Sequence, residues 1–292
     1  MVENGDPGAG ELLHTLFSAI PDHVTIGVTG PPGAGKSTLL DRMITRFRSQ
    51  ERRVGVIAVD PSSPFTCGAL LGDRLRMQSH AVDPGVFIRS MGNRGHLGGI
   101  SGATRDAGLI LAAAGYDPVL VETVGVGQAE VEVAEIADVT ALVLVPGTGD
   151  EVQAMKAGIM EIADLIVLNK ADRPGMDQLE AAVAASLELA PEDRPRPPVV
   201  RVSAESGEGL EALWTSLDLL LSSTDPELRR LENTRRILRG ILGESGARFG
   251  EMLLRSEYGS ENELLELISG GSVTPYEAGL RLVRVAERML EE

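Results

Sequence analysis

The chain alternates short runs that are apolar at nearly every position with longer segments in which apolar residues recur every three or four positions. The runs are VTIGVT (24–29), VGVIAV (54–59), VLV (119–121), VTALVLV (139–145), DLIVL (164–168) and VVRV (199–202). They are rich in β-branched residues and read as strands. A strand that is apolar on both faces has to be covered on both faces, the usual condition of a parallel sheet. The intervening segments 37–49, 104–115, 151–162, 176–190 and 208–221 predict the covering helices. The expected fold class is α/β, a mainly parallel central sheet flanked by helices. Ligands of such sheets gather beyond the carboxyl ends of the strands, so candidate chemistry is sought in the residues that follow each run.

Past residue 222 the strand pattern stops. Leu228, Leu231, Leu238, Ile241 and Leu242 keep helical spacing within 226–254. A further helix is expected over 274–290. Thr274 is its N-cap, Pro275 occupies the first turn, Glu277 is the capping acid, and Ala278, Leu282, Val285, Ala286 and Met289 form its apolar stripe. The expected division is an α/β domain over 1–222, with a short helix before the first strand, and a helical arm for dimerisation or a partner over 223–292. The Pro-rich stretch APEDRPRPP (190–198) precedes a strand and is an internal loop.

Candidate chemistry follows the strand ends. Gly30-Pro-Pro-Gly-Ala-Gly-Lys-Ser37 is a complete Gly-x4-Gly-Lys-Ser loop after a strand and before a helix, the context of a phosphate-binding P-loop. Gly30, Gly33, Ala34 and Gly35 let backbone N–H groups face phosphate oxygens. Lys36 is placed to reach the β- and γ-phosphates, Ser37 to ligate Mg2+, and Thr38 to continue the cradle. Asn169-Lys170-Ala171-Asp172 ends another strand. A carboxylate at Asp172 accepts from two donors on a guanine edge, which adenine lacks, so GTP/GDP is expected over ATP. Lys170 can cover the base, Asn169 can tie this loop to the P-loop, and Ser203-Ala204 can support the guanine from the next strand end. Glu122 of Glu122-Thr-Val-Gly125 is a candidate for orienting Mg2+, with Asp60 and Asp73 as further acids. Gly125 allows close approach to the γ-phosphate, and Gln128 is a candidate for positioning the attacking water. Gly92–Gly99, with Arg94 and His96, and Gly147–Glu151 read as glycine-rich loops, either switch or partner loops or plain connections.

Composition narrows the classes. Against 27 Lys and Arg stand 43 Asp and Glu, a net charge of −16, which disfavours nucleic acid and anionic membranes as partners. Cys67 is the single cysteine, and the four histidines (His14, His23, His80, His96) are scattered. No disulfide framework or thiolate metal site follows, and a reducing compartment, the cytoplasm, is expected. The polar N-terminus does not read as a signal peptide, and no apolar run approaches the roughly 18 residues of a membrane span.

The order VDPSSPF, GDRLRM, RGHLGG, ETVGVGQAE, PGTGDE, GIMEIADLIVLNKAD and TPYEAGLRLV resembles one group of proteins, the methylmalonyl-CoA mutase-associated GTPases, which include bacterial mutase chaperones and their mitochondrial counterpart. The resemblance implies a homodimeric, Mg2+-dependent G protein with a helical C-terminal arm. It implies slow GTP hydrolysis coupled to loading, protection and reactivation of an adenosylcobalamin-dependent acyl-CoA mutase. The family's phosphate loop, magnesium-region acids, ETxGxGQ segment and NKxD fall on Gly30–Ser37, Asp60 and Asp73, Glu122–Gln128, and Asn169–Asp172. It implies Lys36, Asp60, Glu122 and Gln128 as the catalytic set and Ser37, Asp60, Asp73 and Glu122 as the metal set. The family differs in having a longer N-terminal helical segment and often Gly where Cys67 stands. Other functions compatible with the motifs are a metal-insertion GTPase, a P-loop kinase or transport-coupled ATPase, and a nucleotide-regulated binding module.

Overall fold

In the computed structural model, the described residues are 8–17, 20–61, 82–93, 101–123, 129–147, 159–189, 195–223, 225–270 and 272–291, with Val2, Asp6 and His80. Seven strands form one sheet: β1 (Thr25–Thr29), β2 (Val54–Pro61), β3 (Val86–Asn93), β4 (Val119–Thr123), β5 (Val139–Leu144), β6 (Leu165–Leu168) and β7 (Val199–Arg201). Their order is β3-β2-β4-β1-β5-β6-β7 and every pairing is parallel. After β1 the chain builds outward on one side through β2 and β3, returns to β4 beside β1, and then builds the other side from β5. This reversal beside β1 is the crevice where open α/β sheets bind ligands.

The helices of this sheet are α1 (Gly8–Phe17), α2 (Lys36–Ser49), α3 (Ser101–Ala113), α4 (Ala129–Ile136), α5 (Met176–Glu188) and α6 (Leu210–Ser223). Alternate residues of each strand feed opposite layers. Val143 packs with Ile26, Val28, Leu40, Ile44 and Trp214 beneath α2 and α6. Its neighbours Leu142 and Leu144 pack with Leu179 and Val183 of α5. On the same side as α5, Ile57, Val59 and Val121 meet Leu111 of α3 and Val133 of α4. The approach of α4 to β1 requires Gly27, where a Cβ would lie 2.7 Å from Val133 Cγ2.

Strand β3 has no counterpart among the expected elements. It is an edge strand, with Phe87 and Arg89 exposed, so its apolar run is broken by polar residues and lacks the signature of the central strands. Of the helix expected over 151–162, the described part is a single 3-10 turn, Ile159–Ile162. Helices α2, α3, α5 and α6 lie within three residues of expectation, and α4 is an addition on this sheet.

A 33-residue helix, α7 (Pro226–Tyr258), is followed by α8 (Glu261–Ser269) and α9 (Pro275–Glu291). The chain divides into two compact units, Met1–Ile237 and Leu238–Glu292. The first turns of α7 thus belong to the sheet's unit. Arg236 Nη2 reaches Asp138 Oδ1 (2.6 Å) and its Nη1 donates to the Ala137 carbonyl, while Asp138 Oδ2 accepts from Thr25 N–H (2.8 Å). In the second unit Thr274 Oγ1 accepts from Glu277 N–H (3.1 Å) and starts α9. The Glu277 carboxylate turns to Arg281 (2.7 Å). Ala278 and Val285 of the expected stripe are buried, whereas Met289 is exposed. Leu228, Leu231, Leu238, Ile241 and Leu242 are all exposed within the single chain. No helix among the described residues is long and apolar enough to cross a membrane.

Candidate active site

The loop after β1 is shaped by its glycines. Gly30, Gly33 and Gly35 have φ of 139°, 75° and 85°, backbone that L side chains adopt rarely. Gly30 also lies against the β5 backbone, where a Cβ would come 2.1 Å from the Val143 carbonyl oxygen. Gly35 sits under Asn169, where a Cβ would come 2.4 Å from Nδ2. The loop then opens directly into α2, whose first-turn N–H groups face the same side.

Lys36 is buried, and its ammonium donates to the carbonyls of Gly30 (2.7 Å) and Pro31 (3.0 Å). Ser37 Oγ donates to Glu122 Oε1 at 2.7 Å. Glu122 is 5% exposed at the end of β4, in register with Val28 of β1. Beside it the buried hydroxyl of Thr123 donates to Thr29 Oγ1 (3.0 Å), joining the two strand ends. Ser37 and Glu122 are hard oxygen donors at one point beside the P-loop, a donor chemistry that suits Mg2+.

Asn169 joins three loops. It is 2% exposed, Nδ2 donates to Ala34 O (2.8 Å), and Oδ1 accepts from Ala204 N–H (3.0 Å). Lys170 takes a left-handed conformation (φ 60°) and donates to Gly33 O (2.6 Å). Ala171 N–H pairs with Val202 O (2.9 Å). Asp172 is held below the ordinary carboxylate value, chiefly by a hydrogen bond from the buried Ser203 hydroxyl and then by its own N–H. It is therefore anionic and an acceptor at neutral pH. Arg42, which no motif singles out, also enters the cluster. Its Nε donates to Ala204 O (2.8 Å) and its Nη2 to Glu205 O (2.7 Å). The sequence signal for it is position: one turn after Thr38 on the same helix stripe.

The structure brings together Gly30 to Thr38, Glu122, Asn169, Lys170, Asp172, Ser203 and Ala204. Asp60 is the penultimate residue of β2, in register with Gly92; its side chain is outside the described residues. Cys67, Asp73, Arg94, His96, Gly125, Gln128 and Thr148–Glu151 also fall outside them. Among the described residues no group of three or more His, Cys, Asp or Glu could hold a metal ion; Mg2+ bound to a nucleotide ordinarily takes few protein ligands.

Comparison with known proteins gives a concordant picture. Residues 1–236 match the family described as methylmalonyl Co-A mutase-associated GTPase MeaB. A protein of Pyrococcus abyssi with a provisional GTPase name is 44% identical over 290 residues, covering 95% of this chain and 88% of its own length. The mouse methylmalonic aciduria type A homolog, mitochondrial, is 41% identical over 197 residues, 66% of this chain and 48% of its own. The crystal structure of LAO/AO transport system kinase superposes with a TM-score of 0.69 at 26% identity, covering 95% of this chain and 86% of that one.

A parallel sheet that carries a P-loop after its central strand, in a chain with these relatives, defines a P-loop GTPase that binds guanine nucleotide. More narrowly, the chain belongs to the methylmalonyl-CoA mutase-associated GTPase family.

Proposed function

We propose that this GTPase serves as a chaperone of an adenosylcobalamin-dependent acyl-CoA mutase, coupling GTP hydrolysis to loading, protection and reactivation of the cofactor-bound enzyme. Family membership supports the client. The observation that carries the site reading is Asn169, whose one amide bonds both the P-loop and the loop after β7. Through it the phosphate end and the base end of the pocket are held by a single side chain.

In this reading the N–H groups of Gly33 to Thr38 and the Lys36 ammonium hold the triphosphate. Lys36 leaves the Gly30 and Pro31 carbonyls for the phosphates, exchanging one set of charge-assisted hydrogen bonds for a stronger one. Asp172 accepts from the guanine ring N–H and exocyclic amine, Lys170 lies along the base, and Ser203 and Ala204 close the other side. Ser37 and Glu122 would hold Mg2+, with Asp60 and Asp73 as further candidate ligands. The ion, when bound, would supply charge neutralisation to the triphosphate. Gln128 orients the attacking water, and Gly125 brings a backbone N–H to the γ-phosphate. Turnover of the isolated chain is slow, and the mutase accelerates it by ordering the loops around the γ-phosphate. Residues 223–292 supply the arm of a homodimer, and the protein works in the cytoplasm.

A metal-insertion role requires soft ligands, and the chain has one cysteine and four scattered histidines. A kinase or transport ATPase role, of the kind that LAO/AO transport system kinase carries in its name, requires adenine, and the Asp172 carboxylate has no pair of donors to meet on adenine. The test is calorimetry and hydrolysis with Mg2+. GTP is expected to bind far tighter than ATP, Asp172→Asn to shift preference to xanthosine triphosphate, and a purified acyl-CoA mutase to raise the hydrolysis rate. Equal binding of GTP and ATP refutes the base reading, and a rate indifferent to every such mutase refutes the chaperone reading.

A further inference from the structure

The loop that follows β7 is closed on itself. Ser203 N–H donates to Glu208 O (2.9 Å) and Gly207 N–H to Ser203 O (2.8 Å). This leaves the two successive carbonyls of Ala204 and Glu205 turned toward α2, where the Arg42 guanidinium takes both, at 2.8 and 2.7 Å. A planar fork that meets two adjacent acceptors fixes an orientation as well as a distance, which a single rotatable ammonium does not. The same loop carries Ser203, whose hydroxyl lowers the Asp172 carboxyl below its ordinary value, and the Ala204 N–H that bonds Asn169 Oδ1 at 3.0 Å. Arg42 therefore ties the helix that opens on the P-loop to the segment beside the Asp172 carboxylate. Arg46 and Asp218 form a second link between α2 and α6 at 3.6 Å, too exposed and too long to do the same.

We propose that Arg42 is a positioning residue for purine selectivity: by clamping the Ala204 and Glu205 carbonyls it sets where Ser203 and Ala204 stand relative to Asp172. The proposal rests on the reading of Asp172 as the guanine acceptor. Arg42 touches neither the phosphate cradle nor the Ser37–Glu122 pair, and reaches the P-loop only at one remove, through Ala204 and Asn169, so its loss acts first on the base end of the pocket.

The test is titration calorimetry of the full chain with Mg2+ and GDP or ADP, alongside steady-state GTP hydrolysis. For Arg42→Met the affinity for GDP falls about tenfold while that for ADP is unchanged, so the GDP/ADP ratio narrows by that factor. KM for GTP rises correspondingly, with kcat constant within about twofold. Arg42→Lys recovers part of the loss, because an ammonium can serve one carbonyl but cannot fork. Equal losses for GDP and ADP, or an unchanged ratio in a folded Arg42→Met protein, overturn the proposal. If Arg42→Met does not fold, the ratio measured on Arg42→Lys decides by the same criterion. A wild-type protein that fails to prefer GDP over ADP shows the base reading itself to be wrong, before any substitution is compared, and the proposal falls with it.

Discussion

Replacing Asn169 by Ala should cost more than its single side chain suggests. The amide is 2% exposed and makes hydrogen bonds of 2.8 and 3.0 Å to the backbones of Ala34 and Ala204. Truncation removes both partners at once and leaves a buried carbonyl and a buried N–H with no replacement from Ala. Each such orphaned group costs about 1–3 kcal/mol, so a total of about 3 kcal/mol follows after partial relaxation. In a unit the size of Met1–Ile237, 1 kcal/mol moves Tm by roughly 2–4 °C, so Tm falls by about 6–12 °C. The measurement is a circular dichroism melt without nucleotide, which isolates stability from binding. Lys170→Met is the control. Its ammonium also bonds the P-loop, at Gly33 O, but is exposed, and its loss is expected to cost under about 1 kcal/mol. GDP affinity of the Asn169→Ala protein falls about tenfold or more, because the two loops lose their common register. A Tm within about 2 °C of wild type, or a Lys170→Met protein as unstable as Asn169→Ala, would refute the view that this amide locks the pocket.

Two further outcomes follow from geometry and charge. Gly30→Ala and Gly33→Ala both place a Cβ on positive-φ backbone, but at Gly30 it meets the Val143 carbonyl at 2.1 Å whereas at Gly33 it meets nothing within 4 Å. Urea denaturation should show about 1 kcal/mol lost at Gly33 and at least about 3 kcal/mol at Gly30, and equal losses would contradict the close approach of β1 and β5. The Asp172 carboxyl is held below its ordinary value of 3.8, first by the Ser203 hydroxyl and then by backbone N–H. A depressed carboxylate gives its full stabilisation above that ordinary value and loses it as pH falls through the folded-state value. Chemical shifts of labelled Asp should therefore show Asp172 titrating below 3.8, with Ser203→Ala moving the midpoint upward; a midpoint at the ordinary value would remove the Ser203 contact.

The central strands were legible because burial on both faces leaves little freedom of composition. Ile26, Val28, Leu142, Leu144, Ile166 and Leu168 are all fully buried, and any polar residue there would need a partner. β3 was not legible for the converse reason: as the last strand of the sheet among the described residues, it tolerates Arg89 and Ser90 among its apolar residues. The P-loop and the Asn169–Asp172 segment could be read from type and order alone. Backbone geometry at those points admits few residues, as Gly30 and Gly35 show. Arg42 could not be read that way, because it bonds carbonyls. A side chain that recognises backbone has a partner of no particular identity, so no pair of residue types betrays the contact. The apolar spacing of α7 was equally plain, but Leu238, Ile241 and Leu242 are exposed in the single chain; periodicity tells which face is apolar and says nothing of what covers it.

The two margins of the sheet bear on how copies of this chain can associate. Among the described residues one margin is β3, which carries the charged Arg89. The other is β7, three residues long, whose Arg201 is engaged by Asp177 and Glu180 of α5. Brevity and fixed charge are the features by which natural proteins discourage an incoming strand from zipping onto an open edge. Amyloid-like or edge-to-edge growth is thereby disfavoured even at high concentration. Among the described residues, helical surface is the route of association that these two margins do not oppose.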